Sequence, residues 1–140
     1  MAFVPQAKHD IFVSYAHADD VVPPGAEAGW VTTLVEGLEV CLGQKLGRQD
    51  AYSLWVDQGL SRHESFSEEI VDSLKNTAIC LVVLSPAYLA SEWCGRERQV
   101  FIESFRDRPS GGARFFVVER EKLAIEERPE VFQDLLGYRF

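Results

Sequence analysis

The 140-residue chain reads as a single α/β domain built on a parallel sheet, and three observations predict this. Short β-rich runs alternate with helix-like runs along most of the chain, the pattern of strand-helix-strand units joined by right-handed crossovers. One run, Thr77–Leu84 (TAICLVVL), is nearly all apolar, as a central strand covered on both faces must be. The composition, 46% hydrophobic and 26% charged, is that of a globular protein long enough to bury a core.

The first strand is Asp10–Tyr15 (DIFVSY). A helix follows from about Gly29 to Lys45, where Trp30, Leu34, Leu38 and Leu42 recur every four residues beside Val31 and Val35. Gly43 and Gly47 mark where it frays and stops. Ser53–Val56 (SLWV) is the second strand. Ser65–Glu68 matches a capping box and opens a helix whose buried stripe is Phe66, Ile70 and Leu74. After the Thr77–Leu84 strand, a third helix runs from about Ser91 to Arg106, with Trp93, Val100, Phe101 and Phe105 on one side. Arg114–Glu119 follows Gly111 and Gly112 as a fourth strand, and Leu136 to Phe140 is a weaker fifth. No internal repeat, low-complexity tract or linker interrupts this order. The apolar-rich ending, Gly137 to Phe140, reads as a cut within a longer multidomain protein.

Several function classes drop out on composition. A net charge of −8 argues against a nucleic-acid-binding surface, which needs clustered Lys and Arg. Arg96, Arg98, Arg106 and Arg108 alternate with Glu97, Glu103 and Asp107, the habit of a solvated helix face. No apolar run approaches the roughly 20 residues that span a bilayer, and the first ten residues lack a secretion signal. Cys41, Cys80 and Cys94 have no CxxC spacing, and each falls in an apolar pattern. They read as reduced core residues of a cytoplasmic protein, with no metal expected.

Ligands of open α/β sheets bind beyond the carboxyl ends of the strands, where strand order reverses. Those ends carry Ser14 to Asp20, then Asp57 to Leu60, then Ser85-Pro86 leading into the helix with Trp93 and Glu97. Neither GxGxxG nor GxxxxGK[ST] is present, nor is a GxSxG elbow. A phospho-accepting receiver would end its third strand on aspartate, whereas Leu84 and Ser85 stand there. His9, His17 and His63 show no metal-ligand spacing.

What remains is one acid in an unusual place. Glu97 follows Trp93 by four residues and precedes Phe101 by four, so it projects from the apolar stripe of its helix. Two readings stand side by side. In one, Glu97 is structural, gaining from the helix macrodipole and pairing with an arginine such as Arg62 or Arg114. In the other, the stripe borders a cleft and the carboxylate faces it. Tyr15, Ala16 and His17 likewise read as a binding loop or as a turn capping the first helix. Asp57 either serves a ligand or ends a strand, and Asp19 and Asp20 read as solvated loop charges.

Taken in order, these segments resemble a known family. Asp10–Asp20 (DIFVSYAHADD) is similar to the first box of TIR (Toll/interleukin receptor) domains. Leu54–Leu60 with Glu64–Phe66 resembles the family's second strand and the loop after it. Leu81–Pro86 followed by Ser91–Glu97 (SEWCGRE) resembles its third strand and WxxxE segment. The likeness runs from about residue 9 to 119, and the long first helix resembles the bacterial branch, whose TIR domains serve as effectors of larger immune proteins.

The resemblance implies a flavodoxin-like three-layer sandwich with five parallel strands in the order 2-1-3-4-5. It implies that Glu97, closing WxxxE, is the catalytic carboxylate of an enzyme that cleaves the nicotinamide–ribose bond of NAD+. The products would be nicotinamide with ADP-ribose or a cyclic isomer. Such an enzyme takes NAD+ as substrate and needs no cofactor. Tyr15, Ala16, His17, Asp57 and Trp93 would line the substrate, and Gly59, Leu60, Arg62 and His63 would form an assembly loop. Many family members carry a Pro-Gly turn after the position of Leu60, where this chain has Ser61-Arg62-His63. The implied partners are other TIR domains, in a homo-oligomer or filament, and a fused sensor domain. The rival from another class is a non-catalytic adaptor that signals by TIR–TIR assembly, and a third is an NAD sensor without turnover.

Overall fold

A computed structural model describes residues 9–48, 52–56, 68–106, 115–121, 124–127 and 137–139. Strands β1 (His9–Ser14), β2 (Leu54–Val56), β3 (Thr77–Leu84), β4 (Phe115–Glu119) and β5 (Gly137–Arg139) run parallel in one sheet, arranged β2-β1-β3-β4-β5. Helices α1 (Trp30–Leu46), α2 (Glu68–Lys75), α3 (Pro86–Ala90) and α4 (Glu92–Arg106) lie between them in sequence. The α/β class with a parallel sheet follows the sequence expectation. β1 pairs with both β2 and β3, so the strand order reverses between β1 and β3, the point beyond whose carboxyl ends open α/β sheets bind ligands.

Strand alternation divides the core into two layers. Phe12, Cys80, Val82, Leu84 and Val117 face one way and pack with Leu74 of α2, Tyr88 of α3 and Phe101 of α4. Val13, Leu81, Val83 and Val118 face the other way and pack with Val31 and Val35 of α1. Phe101 meets Phe115 edge to face, ring centres 5.0 Å apart, which ties α4 to β4. On the α1 side a cavity of about 490 Å³ opens between Leu34, Leu38 and Cys41 of the helix and Ile79, Leu81 and Phe116 of the sheet.

Local chemistry explains the helix ends. Gly47 takes a left-handed φ of 74° and stops α1. The start of α1 has no side-chain cap of its own; Asp20, from the 3₁₀ turn His17–Asp20, supplies it. Its Oδ1 accepts from Thr32 N and its Oδ2 from Thr32 Oγ1, both at 2.7 Å. Ser85 caps α3, accepting from Tyr88 N at 3.1 Å with Pro86 at the first helical position. Ser91 ends α3 through its own N–H to Tyr88 O and caps α4 by accepting from Cys94 N.

Several expectations need correction. Cys41 is exposed rather than a core residue: it stands with Leu34 and Leu38 on the wall of the open cavity between α1 and the sheet. Leu34, Leu38 and Trp30 are only partly buried, so the inward stripe is centred on the valines. Asp19 and Asp20 are not solvated loop charges: Asp19 is buried and Asp20 caps a helix. The expected capping box at Ser65, with Phe66, lies outside the described residues.

Candidate active site

Glu97 occupies the first half of α4, between the buried Cys94 and Phe101, and is only 1% exposed. Its carboxylate reaches across to the carboxyl end of β1. Ser14 Oγ, at the last residue of that strand, lies 3.1 Å from Glu97 Oε1 and 3.4 Å from Tyr88 Oη. Ser14 and Tyr88 are fully buried. Burial pushes the Tyr88 phenol up, with the nearby Cys80 and Cys94 thiols adding to the rise, so it keeps its proton. A serine hydroxyl has one proton to give, and the shorter contact, to the carboxyl oxygen of Glu97, takes it. Tyr88 Oη therefore donates to Ser14 Oγ, which donates to Glu97 Oε1. Arg98 stands over the Tyr88 ring, its guanidinium carbon 5.9 Å from the centre.

A second polar chain holds α3 in place. Ser85 Oγ donates to Asp19 Oδ2 at 2.5 Å while accepting from Tyr88 N. Arg120, just after β4, sits with Nε 3.6 Å from Asp19 Oδ1, and its N–H donates to Leu84 O. The ends of β1, β3 and β4 are thus connected by side chains, and the two chains meet at Tyr88. Burial raises the Asp19 carboxyl above the ordinary 3.8, against the lowering effects of Ser85 and Arg120. The Cys80 thiol is also pushed well up, by burial first and by the Glu97 charge second, which makes it inert.

The residues expected at the site fall in different places. Ala16 is buried in the same layer as Tyr88 and Cys94, and Trp93 packs partly buried against that layer. Tyr15 turns to the opposite face, beside Val31 and Val35, as the alternation along β1 dictates. His17 is exposed on the 3₁₀ turn. Asp57, Gly59, Leu60, Arg62 and His63 lie outside the described residues, as do Arg62 and Arg114 as partners for Glu97. Ser14 and Tyr88 were missed by sequence reasoning. The signal available was strand parity, which puts Ser14 on the face opposite Tyr15 and therefore toward the helix of Glu97.

A cavity of about 400 Å³ beside Tyr15 is lined by Asp20, Glu36 and Glu39 together with Val31, Thr32 and Val35. A neighbouring one of about 570 Å³ shares Glu36 and Glu39. Three carboxylates make this side of α1 unfavourable for the phosphates of a dinucleotide. Among the described residues, no group of three His, Cys, Asp or Glu side chains is placed to hold a metal ion. No helix there is long and apolar enough to cross a membrane.

A parallel α/β sheet with buried acids, Glu97 and Asp19, beside its switch point is the class this geometry defines. The TIR domain family model matches residues 11–139, and the chain belongs to that family. Its fold is similar to the crystal structure of the TIR domain of the Toll-related receptor TRR-2 from the lower metazoan Hydra magnipapillata. That match has 13% identity and a TM-score of 0.54, covering 94% of this chain and 84% of the other. No curated protein matches the sequence.

Proposed function

We propose that this TIR domain is an NAD+ glycohydrolase or cyclase in which Glu97 is the catalytic residue. The observation that carries the reading is a carboxylate at the strand-order switch point, set in an apolar layer and held by a buried hydroxyl. When the bond from ribose C1′ to nicotinamide breaks, nicotinamide leaves as a neutral group with the bonding pair and C1′ becomes oxocarbenium-like. A fixed anion close to that sugar is complementary to the transition state more than to the ground state. Because the leaving group departs from a pyridinium cation, it needs no protonation, and a single carboxylate serves where other glycosidases use two. Water then adds its oxygen to C1′ and loses a proton, giving ADP-ribose. Attack by a nucleophile of the same molecule gives a cyclic isomer instead.

On this reading Tyr15, Ala16, His17, Asp57 and Trp93 belong to the substrate side. The loop containing Gly59, Leu60, Arg62 and His63 meets a neighbouring TIR domain. The protein works in the cytoplasm as the effector of a bacterial-type defence system, with a fused sensor that gathers copies when triggered. The test is direct: concentrated protein is incubated with NAD+, and nicotinamide, ADP-ribose and cyclic products are resolved by chromatography. The absence of nicotinamide release, even after forced oligomerisation, would sink the reading.

A second reading draws on the 1% exposure of Glu97, which closes its carboxylate off in the isolated chain. A purely structural acid in a scaffold that signals by TIR–TIR assembly would look the same. Assembly that is preserved while no nicotinamide forms is the outcome that selects it.

A further inference from the structure

We infer that Ser14 and Tyr88 form a positioning relay that aims the Glu97 carboxylate, an inference that rests on the glycohydrolase reading above. Three elements supply the relay: Ser14 ends β1, distant in sequence, while Tyr88 sits on α3 and Glu97 on α4, which directly follows it. All three side chains are buried to 1% exposure or less. A hydroxyl placed there has a large effect, since hydrogen bonds in a low-dielectric layer are stronger than in water. Glu97 has three rotatable bonds, and Ser14 at 3.1 Å from Oε1 holds that oxygen toward the end of β1. Tyr88 at 3.4 Å fixes the direction in which Ser14 points its proton, because the hydroxyl oxygen is occupied as acceptor.

Tyr88 is itself set by the Ser85 cap at its backbone N–H, and Ser85 is set by Asp19. The orientation of the acid is therefore specified from the loops after β1 and β3 together. Neither Ser14 nor Tyr88 touches the reacting atoms on this view; both act through Glu97.

The test compares wild type with Ser14→Ala, Ser14→Thr and Tyr88→Phe in NAD+ cleavage and in thermal unfolding. A relay predicts that Ser14→Ala lowers kcat on the order of 10- to 100-fold with KM within about twofold, the cost of a misaimed reacting group. Tyr88→Phe should show a smaller loss of the same kind, and Ser14→Thr, which keeps the hydroxyl, should recover most of kcat. Unchanged kcat in a folded Ser14→Ala protein overturns the relay. So does a pattern in which Ser14→Ala and Tyr88→Phe fail only by unfolding. If wild type itself releases no nicotinamide, the glycohydrolase reading fails separately. The contact is then judged by a thermal double-mutant cycle of Ser14→Ala with Glu97→Ala, which removes the acceptor. Coupled effects retain the contact as an aiming device for that carboxylate, and additive effects remove it.

Discussion

Asp19 and Ser85, 66 positions apart in sequence, meet at the carboxyl edge of the sheet with their side-chain oxygens 2.5 Å apart. The pair joins the loop after β1 to the helix after β3, next to the point where strand order reverses. An ionised carboxylate in this buried position is only partly compensated. Arg120 is 3.6 Å away and a third exposed, so solvent screens much of its attraction.

The pH dependence follows from the raised Asp19 carboxyl. Desolvation is its main cause, outweighing the Ser85 hydrogen bond and the Arg120 charge, with Glu121 adding to the rise. A native pKa above the unfolded value means the folded state binds the proton more tightly. That contribution to stability is fully present below 3.8 and is lost as pH rises through the folded value. Asp19→Asn keeps an acceptor for Ser85 and cannot titrate. In denaturant titrations, the variant should equal or exceed wild type at neutral pH, and its advantage should shrink as pH falls toward 3.8. An advantage that grows on acidification would contradict this sign.

At the start of α1, a methyl group on Gly29 would fall inside contact distance of the Asp20 backbone carbonyl and of its Oδ1. The φ of Gly29 is −75°, so the constraint is space rather than backbone conformation. Gly29→Ala should cost about 1–3 kcal/mol by overpacking and displacing the Asp20 cap. Asp20→Ala, which removes both bonds to Thr32, should cost about 0.5–2 kcal/mol. Because both changes act on one contact, the double variant should lose less than the sum. Strict additivity in thermal unfolding would show that Gly29 is not there for the cap.

What the sequence disclosed depended on whether a signal was local. β3 was legible to the residue, because a strand covered on both faces has almost no polar positions. Glu97 was legible as an acid within an apolar stripe, and the structure buries it between Cys94 and Phe101. The short α3 was missed because a single turn has no periodicity to read, although Ser85-Pro86 is a cap followed by a preferred first residue. Asp19 and Asp20 look like ordinary loop charges until a cap and a serine 66 positions away come into reach. Strand parity was legible too: it carries past the end of β1 and sends the Tyr15 ring to the α1 face.

Catalysis is tested most directly at Glu97. Glu97→Gln keeps the shape of the side chain and its acceptor toward Ser14 while removing the charge. NAD+ cleavage should fall below detection, with the unfolding temperature at or above that of wild type, since a buried carboxylate pays for desolvation that an amide avoids. Wild-type turnover in this variant, measured at matched concentration, would remove Glu97 from catalysis.

The dependence on assembly is the last expectation, and it arises from the poor hold that one domain offers a dinucleotide. The chain has no glycine-rich phosphate loop, its net charge is −8, and Glu36 and Glu39 rim both cavities beside β2. The Glu97 carboxylate is enclosed in the single chain, so on the glycohydrolase reading neighbouring segments must shift before substrate reaches it. A second TIR domain can supply both the missing wall and the energy for that shift, because a contact that favours the open arrangement raises its population. Arg62 and His63 are the donors in the 57–65 segment best suited to meet an acidic neighbour, given the excess of carboxylates on every copy. Specific activity should therefore rise with protein concentration, forced oligomerisation should raise it further, and Arg62→Glu should flatten the curve without changing the unfolding temperature. These are read as nicotinamide released per mole of protein across a dilution series. Constant specific activity over two decades of concentration would mean that the monomer is competent and that no neighbour completes the site.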